Sequence, residues 1–161
     1  NQQTLNSSWE EIEQKADGST VRMFMWGGDE GINQYIDEWA APKLKEQFGI
    51  ELERVPMDAP EFLQKLLNEK KAGKSKGNTD IIWINGENFK NAKNSELLFG
   101  PFTDNLPNYK DHINKNSLDI QYDFGEKVGG LEAPFGKVQF VFLYDSAKIK
   151  NPPESFEELK T

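Results

Sequence analysis

Apolar positions along the chain change their period several times, and each change marks an element. Ser8 to Glu11 has the spacing of a capping box, ahead of a short amphipathic helix that carries Trp9 and Ile12 and ends near Asp17 and Gly18. Val21 to Trp26 reads as a first strand, mostly buried because Arg22 is its one exposed-type residue, and Gly27 and Gly28 end it. From Glu30, the residues Ile32, Tyr35, Ile36, Trp39, Ala40, Leu44 and Phe48 fall on one stripe of a helix. Pro42 predicts a kink there, or a break that leaves it in the first turn of a second segment, and Gly49 supplies the stop.

Ile50 to Val55 alternates apolar residues with Glu51, Glu53 and Arg54, the pattern of a strand toward a sheet edge. Asp58 can cap the next helix, whose stripe is Phe62, Leu63, Leu66 and Leu67 and whose end carries Lys70 and Lys71 before Gly73, as the helix dipole favours. Lys74 to Asn78 is a solvated loop. Asp80 to Asn88, read D-I-I-W-I-N-G-E-N, is the stretch the rest is organised around. Ile81 to Ile84 predicts a buried central strand, because a parallel sheet flanked by helices demands apolar side chains on both faces. Asn85, Gly86, Glu87 and Asn88 then place polar groups and a flexible backbone at its carboxyl end, where open α/β sheets bind ligands. An ordinary strand-to-helix turn with capping residues has the same composition.

A helix from about Asn88 to Leu98 follows, closed by Gly100, Pro101 and Phe102. Asp104 to Asn116 is polar and turn-rich, with Pro107 and a solvated His112. Gln121 to Phe124 suggests a short strand, Gly129 to Gly136 a glycine-rich turn, and Val138 to Tyr144 another buried strand. Helices alternating with strands predict an α/β fold, with a mostly parallel sheet and helices on its faces.

The 161 residues suffice for one ordinary domain and strain a two-domain reading. Hydrophobic content of 36% against 29% charged, with no apolar stretch near the ~20 residues of a spanning helix, excludes a membrane-embedded chain. The net charge of -8 repels a phosphate backbone and argues against nucleic acid as a partner. Absence of cysteine removes disulfides and thiolate metal sites. Asn1 in place of methionine, and a capping box at Ser155 to Glu158 that opens a helix only to stop at Thr161, suggest a portion of a longer protein.

Two phosphate-binding look-alikes fail on spacing. Gly73-Lys74-Ser75 lacks the earlier glycine, since Asn68 stands there, and follows a helix where a strand is required. Gly27-Gly28-Asp29-Glu30-Gly31 does not have the dinucleotide spacing, and its acids repel a pyrophosphate. No nucleophile with a base is visible and no cofactor is implied. Glu87 and Glu132 could form the carboxylate pair of a glycosidase or transferase, an alternative that the residues leave open. Trp26, Gly27 and Gly28, then Asn85 to Asn88, then Glu132 and Phe135, would meet at one edge of the sheet. Aromatic faces combined with carboxylates suit an organic cation. The same rings could instead be core and the acids solvated.

The strings V-R-M-F-M-W-G-G-D-E-G-I-N, D-I-I-W-I-N-G-E-N-F, L-F-G-P-F-T-D-N-L-P, L-E-A-P-F-G-K-V-Q-F-V-F-L-Y-D and N-P-P-E-S-F-E-E-L resemble the extracellular solute-binding proteins of bacterial ABC importers. The nearest branch is an uncharacterised one beside the thiamine, polyamine and iron binders, with Phe135 standing where a tryptophan is expected. This resemblance implies a type II periplasmic-binding-protein fold: a three-layer α/β/α first lobe over residues 1–136, then a crossover strand and the start of a second lobe over 137–161. It implies a non-catalytic protein, periplasmic or at the cell surface, that closes on a small solute and delivers it to a membrane permease. Contact with the membrane would come only through a lipid anchor ahead of Asn1. The resemblance also implies that the first-lobe sheet is completed by returning chain, so that a bare edge could pair with a second copy.

Overall fold

The computed structural model describes residues 2–74, 76–138 and 141–160. A helical turn α1 (Gln2–Leu5) leads into α2 (Trp9–Ala16), whose capping box forms as the spacing predicts. The Glu11 N–H donates to Ser8 Oγ at 3.2 Å, and the Glu11 carboxylate accepts from the Ser8 N–H at 3.0 Å. Strand β1 (Thr20–Met25) follows, then α3 (Glu30–Gln34), a π-helical turn (Tyr35–Ala40) and α4 (Ala41–Phe48). The backbone stays helical from Glu30 to Phe48, so Pro42 lies within one continuous helix just after the π turn rather than at a break, and Gly49 closes it at φ 66°. Strand β2 (Glu51–Pro56), α5 (Ala59–Lys71), a short β3 (Ile81–Ile82) and α6 (Gly86–Asn94) complete the α/β unit.

All three strands run parallel in the order β2-β1-β3. The chain therefore moves one way from β1 to β2 and back the other way from β2 to β3. Right-handed crossovers put the connections on opposite faces, which gives three layers. Helix α4 packs on β2, while α5 packs with α6. The core is Phe24, Met25, Ile36, Phe62, Phe89 and Ala92, contributed by β1, the π turn, α5 and α6.

Three expectations need correction. The central strand is β1, not the D-I-I-W-I segment: β3 is an outer strand, two residues long, with Ile81 46% exposed. Only one of its edges has a partner among the described residues, so the ladder extends no further than β1 supports. The helix expected from about Asn88 to Leu98 begins at Gly86 and ends at Asn94. Residues 138–144, expected as a buried strand, form none where described; Val138 is 95% and Leu143 92% exposed, and Gln139 and Phe140 lie outside the described residues. A strand needs a neighbour to satisfy its backbone, and no strand lies beside this run among the described residues.

Beyond α6 the chain makes a 3-10 turn (Thr103–Asn105), α7 (Pro107–His112), α8 (Leu118–Gln121) and a tight hairpin of β4 (Tyr122–Asp123) with β5 (Glu126–Lys127). His112 is exposed, as expected. At the far end Ser155 Oγ accepts from the Glu158 N–H at 3.3 Å, but Glu158 reaches the Glu154 N–H, and a 3-10 turn (Glu158–Lys160) forms instead of an α-helix. Among the described residues no helix is long and apolar enough to cross a membrane.

Candidate functional site

The parallel register fixes where the site lies. Met23 pairs with Ile81 and Phe24 with Ile82, and the Trp83 N–H donates to the Phe24 carbonyl at 2.8 Å. Asp80 locks the entry to the pair, accepting from the Arg22 N–H at 2.9 Å and donating its own N–H back to the Arg22 carbonyl. Trp26 and Asn85 therefore leave their strands at the same edge of the sheet. The helices that follow β1 and β3 lie on opposite faces, so a crevice opens between these two strand ends, the position that favours ligands in such sheets.

On the β1 side, the Trp26 indole folds across its own turn. An added Cβ on Gly28 would stand 3.0 Å from the ring, so any larger residue there would push the indole back by a few tenths of an ångström. The Gly27 carbonyl accepts from Asn33 Nδ2 at 3.0 Å, and Asp29 caps α3 through the Ile32 N–H at 2.8 Å. On the β3 side, Asn85 is extended and precedes Gly86, which is buried at φ 57°. The Gly86 N–H donates to the Asp123 carboxylate. This couples the β4–β5 hairpin to the start of α6, where the dipole favours a negative charge. Lys93 ties down the other end of the hairpin, reaching Glu126 at 2.5 Å and the Lys127 carbonyl at 2.6 Å. That bond holds the Glu126 carboxyl below the usual carboxylate range.

The third contributor is a strap over residues 132–135, anchored at its base. The Gly130 carbonyl accepts from Phe102 N–H at 2.8 Å and Thr103 N–H at 3.4 Å, with Val128 buried beneath. Burial pushes the Glu132 carboxyl up to about 7, and the negative charge of Asp123 adds to the effect. Phe135 packs on Trp83 at 4.4 Å between ring centroids and meets Tyr35 edge-on at 6.1 Å. Tyr35 in turn stacks on Trp39 at 4.9 Å, under which Lys43 Nζ lies 5.2 Å from the ring.

Ring contacts join the strap to the segment after β3 and to the π turn, through different rings than expected. Phe135, Trp83 and Tyr35 join the strap, β3 and the helix after β1, whereas Trp26, 37% exposed, has no ring contact with them among the described residues. Glu87 and Asn88 lie in the first turn of α6, Glu87 exposed and Asn88 half-buried, while Glu132 is half-buried beside Asp123. Sequence reasoning missed Tyr35, Trp83 and Asp123. Tyr35 and Trp39 share one helical stripe with Ile32, Ile36 and Leu44, yet both are exposed and use their faces on each other. Their i, i+4 aromatic spacing was the available signal. Nothing in the sequence links Asp123 to Gly86. Among the described residues no group of three or more ligating side chains is arranged for a metal ion.

A family model described as bacterial extracellular solute-binding protein matches residues 39–161. The chain is 34% identical over 158 residues to protein YnjB of Escherichia coli K12, a match that covers 97% of this chain and 40% of that protein. It is 30% identical over 130 residues to the thiamine-binding periplasmic proteins of Brucella abortus and Brucella suis, covering 79% of this chain and 35% of each of theirs. The chain spans about two fifths of the length of the curated relatives it matches.

Proposed function

Because this chain belongs to the bacterial extracellular solute-binding protein family, we propose that it is part of the substrate-binding component of an ABC importer. In this reading it captures a small organic cation and delivers it to a membrane permease, at the periplasmic or outer face of the cell membrane. The observation that carries it is the ring cluster of Phe135 with Trp83 and Tyr35, on the same strap as the half-buried Glu132, whose carboxyl feels the negative charge of Asp123. Ring faces attract a cation through their quadrupole, and a carboxylate supplies the opposite charge. A heteroaromatic cation of the thiamine kind suits that pairing, and two of the relatives carry thiamine binding in their names.

The lobe over 1–136 would supply one wall, with Gly27, Gly28, Asn85, Gly86, Glu87 and Asn88 as its polar floor, and closure over the solute would present the bound form to the permease. A lipid anchor ahead of Asn1 and pairing of the β3 edge, unpaired among the described residues, with a second copy fit the same reading. Isothermal titration of the full-length protein against thiamine and a panel of other organic cations tests it. Saturable binding that Phe135→Ala and Glu132→Gln each weaken about tenfold or more is expected. Binding untouched by both substitutions would sink the site.

The rival is an α/β enzyme using Glu87 and Glu132. The raised Glu132 carboxyl is what favours it, since a general acid needs such a shift. Turnover of a glycoside abolished by Glu87→Gln, with binding retained, would establish that reading instead.

A further inference from the structure

Consecutive residues of the strap serve two different hollows. Phe135 faces the rim rings, whereas Ala133 and Pro134 form one wall of a separate recess of about 500 Å³. Trp9 and Glu13 of α2, Phe48 at the end of α4 and Tyr109 of α7 line the other sides. Its volume lies within the roughly 300–1,000 Å³ typical of small-molecule sites. Trp9 and Phe48 remain 41% and 39% exposed, so the recess is open at its mouth.

We infer that this recess is a second small-molecule site, fitted to a compact organic amine carrying an aromatic ring. The argument is one of charge and shape. Glu13 is half-buried among apolar walls and accepts from Trp9 Nε1 at 2.5 Å. It makes no ion pair among the described residues. An ionised carboxylate has about four lone-pair positions, so one N–H from Trp9 leaves most of that capacity unused. A carboxylate beside apolar walls is stabilised by an ammonium group, and the Trp9 ring attracts the same charge, whereas the Tyr109 ring already holds Lys115 Nζ at 5.4 Å. The net charge of -8 draws cations toward the protein and keeps anions away. Three aromatic walls fit a flat ring at the other end of the ligand. None of these points depends on what binds at the rim.

Phenethylamine is a suitable probe, followed in the full-length protein by the indole N–H signals in ¹H–¹⁵N spectra. This chain contributes four tryptophans, and Trp9→Phe assigns the one that matters. A saturable shift of the Trp9 signal is expected, with affinity at least about tenfold weaker for the uncharged analogue 2-phenylethanol and for phenethylamine on Glu13→Gln. Glutamine keeps an acceptor for Trp9 Nε1, so the helix is preserved. The comparison of the two probes on the unaltered protein stands even if that variant misfolds. The inference is overturned if Trp9 does not respond to millimolar phenethylamine, or if 2-phenylethanol or the anion phenylacetate binds as well. It is also overturned if Trp26 or Trp83 responds in place of Trp9, which would put the amine at the rim.

Discussion

Thr20–Met25 carries an arginine and a threonine yet forms the middle of the sheet, while residues 138–144 hold one polar side chain and stand open to water where described. The difference lies in neighbours. β1 has a strand on each side, so its backbone groups are paired and Phe24 and Met25 are free to bury their side chains. The later run has as much apolar surface to gain from, but no ladder among the described residues to join. Burial of a strand is a property of its surroundings first and of its residues second.

Substitutions can break or sharpen that contrast, and the largest effect belongs to the sheet. Met25→Ala removes a fully buried side chain and should cost about 2–5 kcal/mol in a urea melt, because the space left cannot fully collapse. A loss under ~1 kcal/mol would mean that β1 is not enclosed as described. Next is Gly86→Ala, at the join between sheet and hairpin. An added Cβ meets Phe124 at an ordinary 3.5 Å, so the penalty is the left-handed backbone at φ 57° alone, about 1–2 kcal/mol by the same measurement.

Smaller again is the titration of Glu132. Its folded carboxyl titrates at about 7 against an ordinary 4.5, so between those values the folded chain holds a proton that the unfolded chain releases. Stability is then greatest below pH 4.5 as far as this group is concerned, and falls as pH rises through 7. After allowance for solvent at a half-exposed site, the fall is about 1 kcal/mol, and Glu132→Gln should flatten that part of a Tm-against-pH curve. Cation capture has the opposite pH dependence, since the carboxylate must be free to pair. The smallest effect should be Leu143→Ala, within about 0.5 kcal/mol, because that side chain is 92% exposed. A cost comparable to Met25→Ala would erase the contrast.

Local signals were legible wherever the cause was local. The Ser8–Glu11 box, Gly49 at a helix end and the outer position of β2 all follow from residues within one turn or one strand of each other. Strand order was not, because D-I-I-W-I is more apolar than V-R-M-F-M and nothing within either string says which will have two neighbours. The rim was half legible for the same reason. Strand ends advertised Trp26 and Asn85, but Asp123 reaches Gly86 across 37 positions of chain, and Trp83 turned from core to wall only because β3 stops at Ile82.

The π turn at Tyr35–Ala40 holds one more residue per hydrogen-bonded ring than its flanking helices. That surplus acts like slack in a rope. Losing a single residue there would let the coil tighten into an ordinary helix without pulling on the strands at either end, yet it would swing Tyr35 around the axis relative to Trp39 and unstack the pair. Natural length variants of this turn would thus keep the scaffold while resetting the rings offered to a solute.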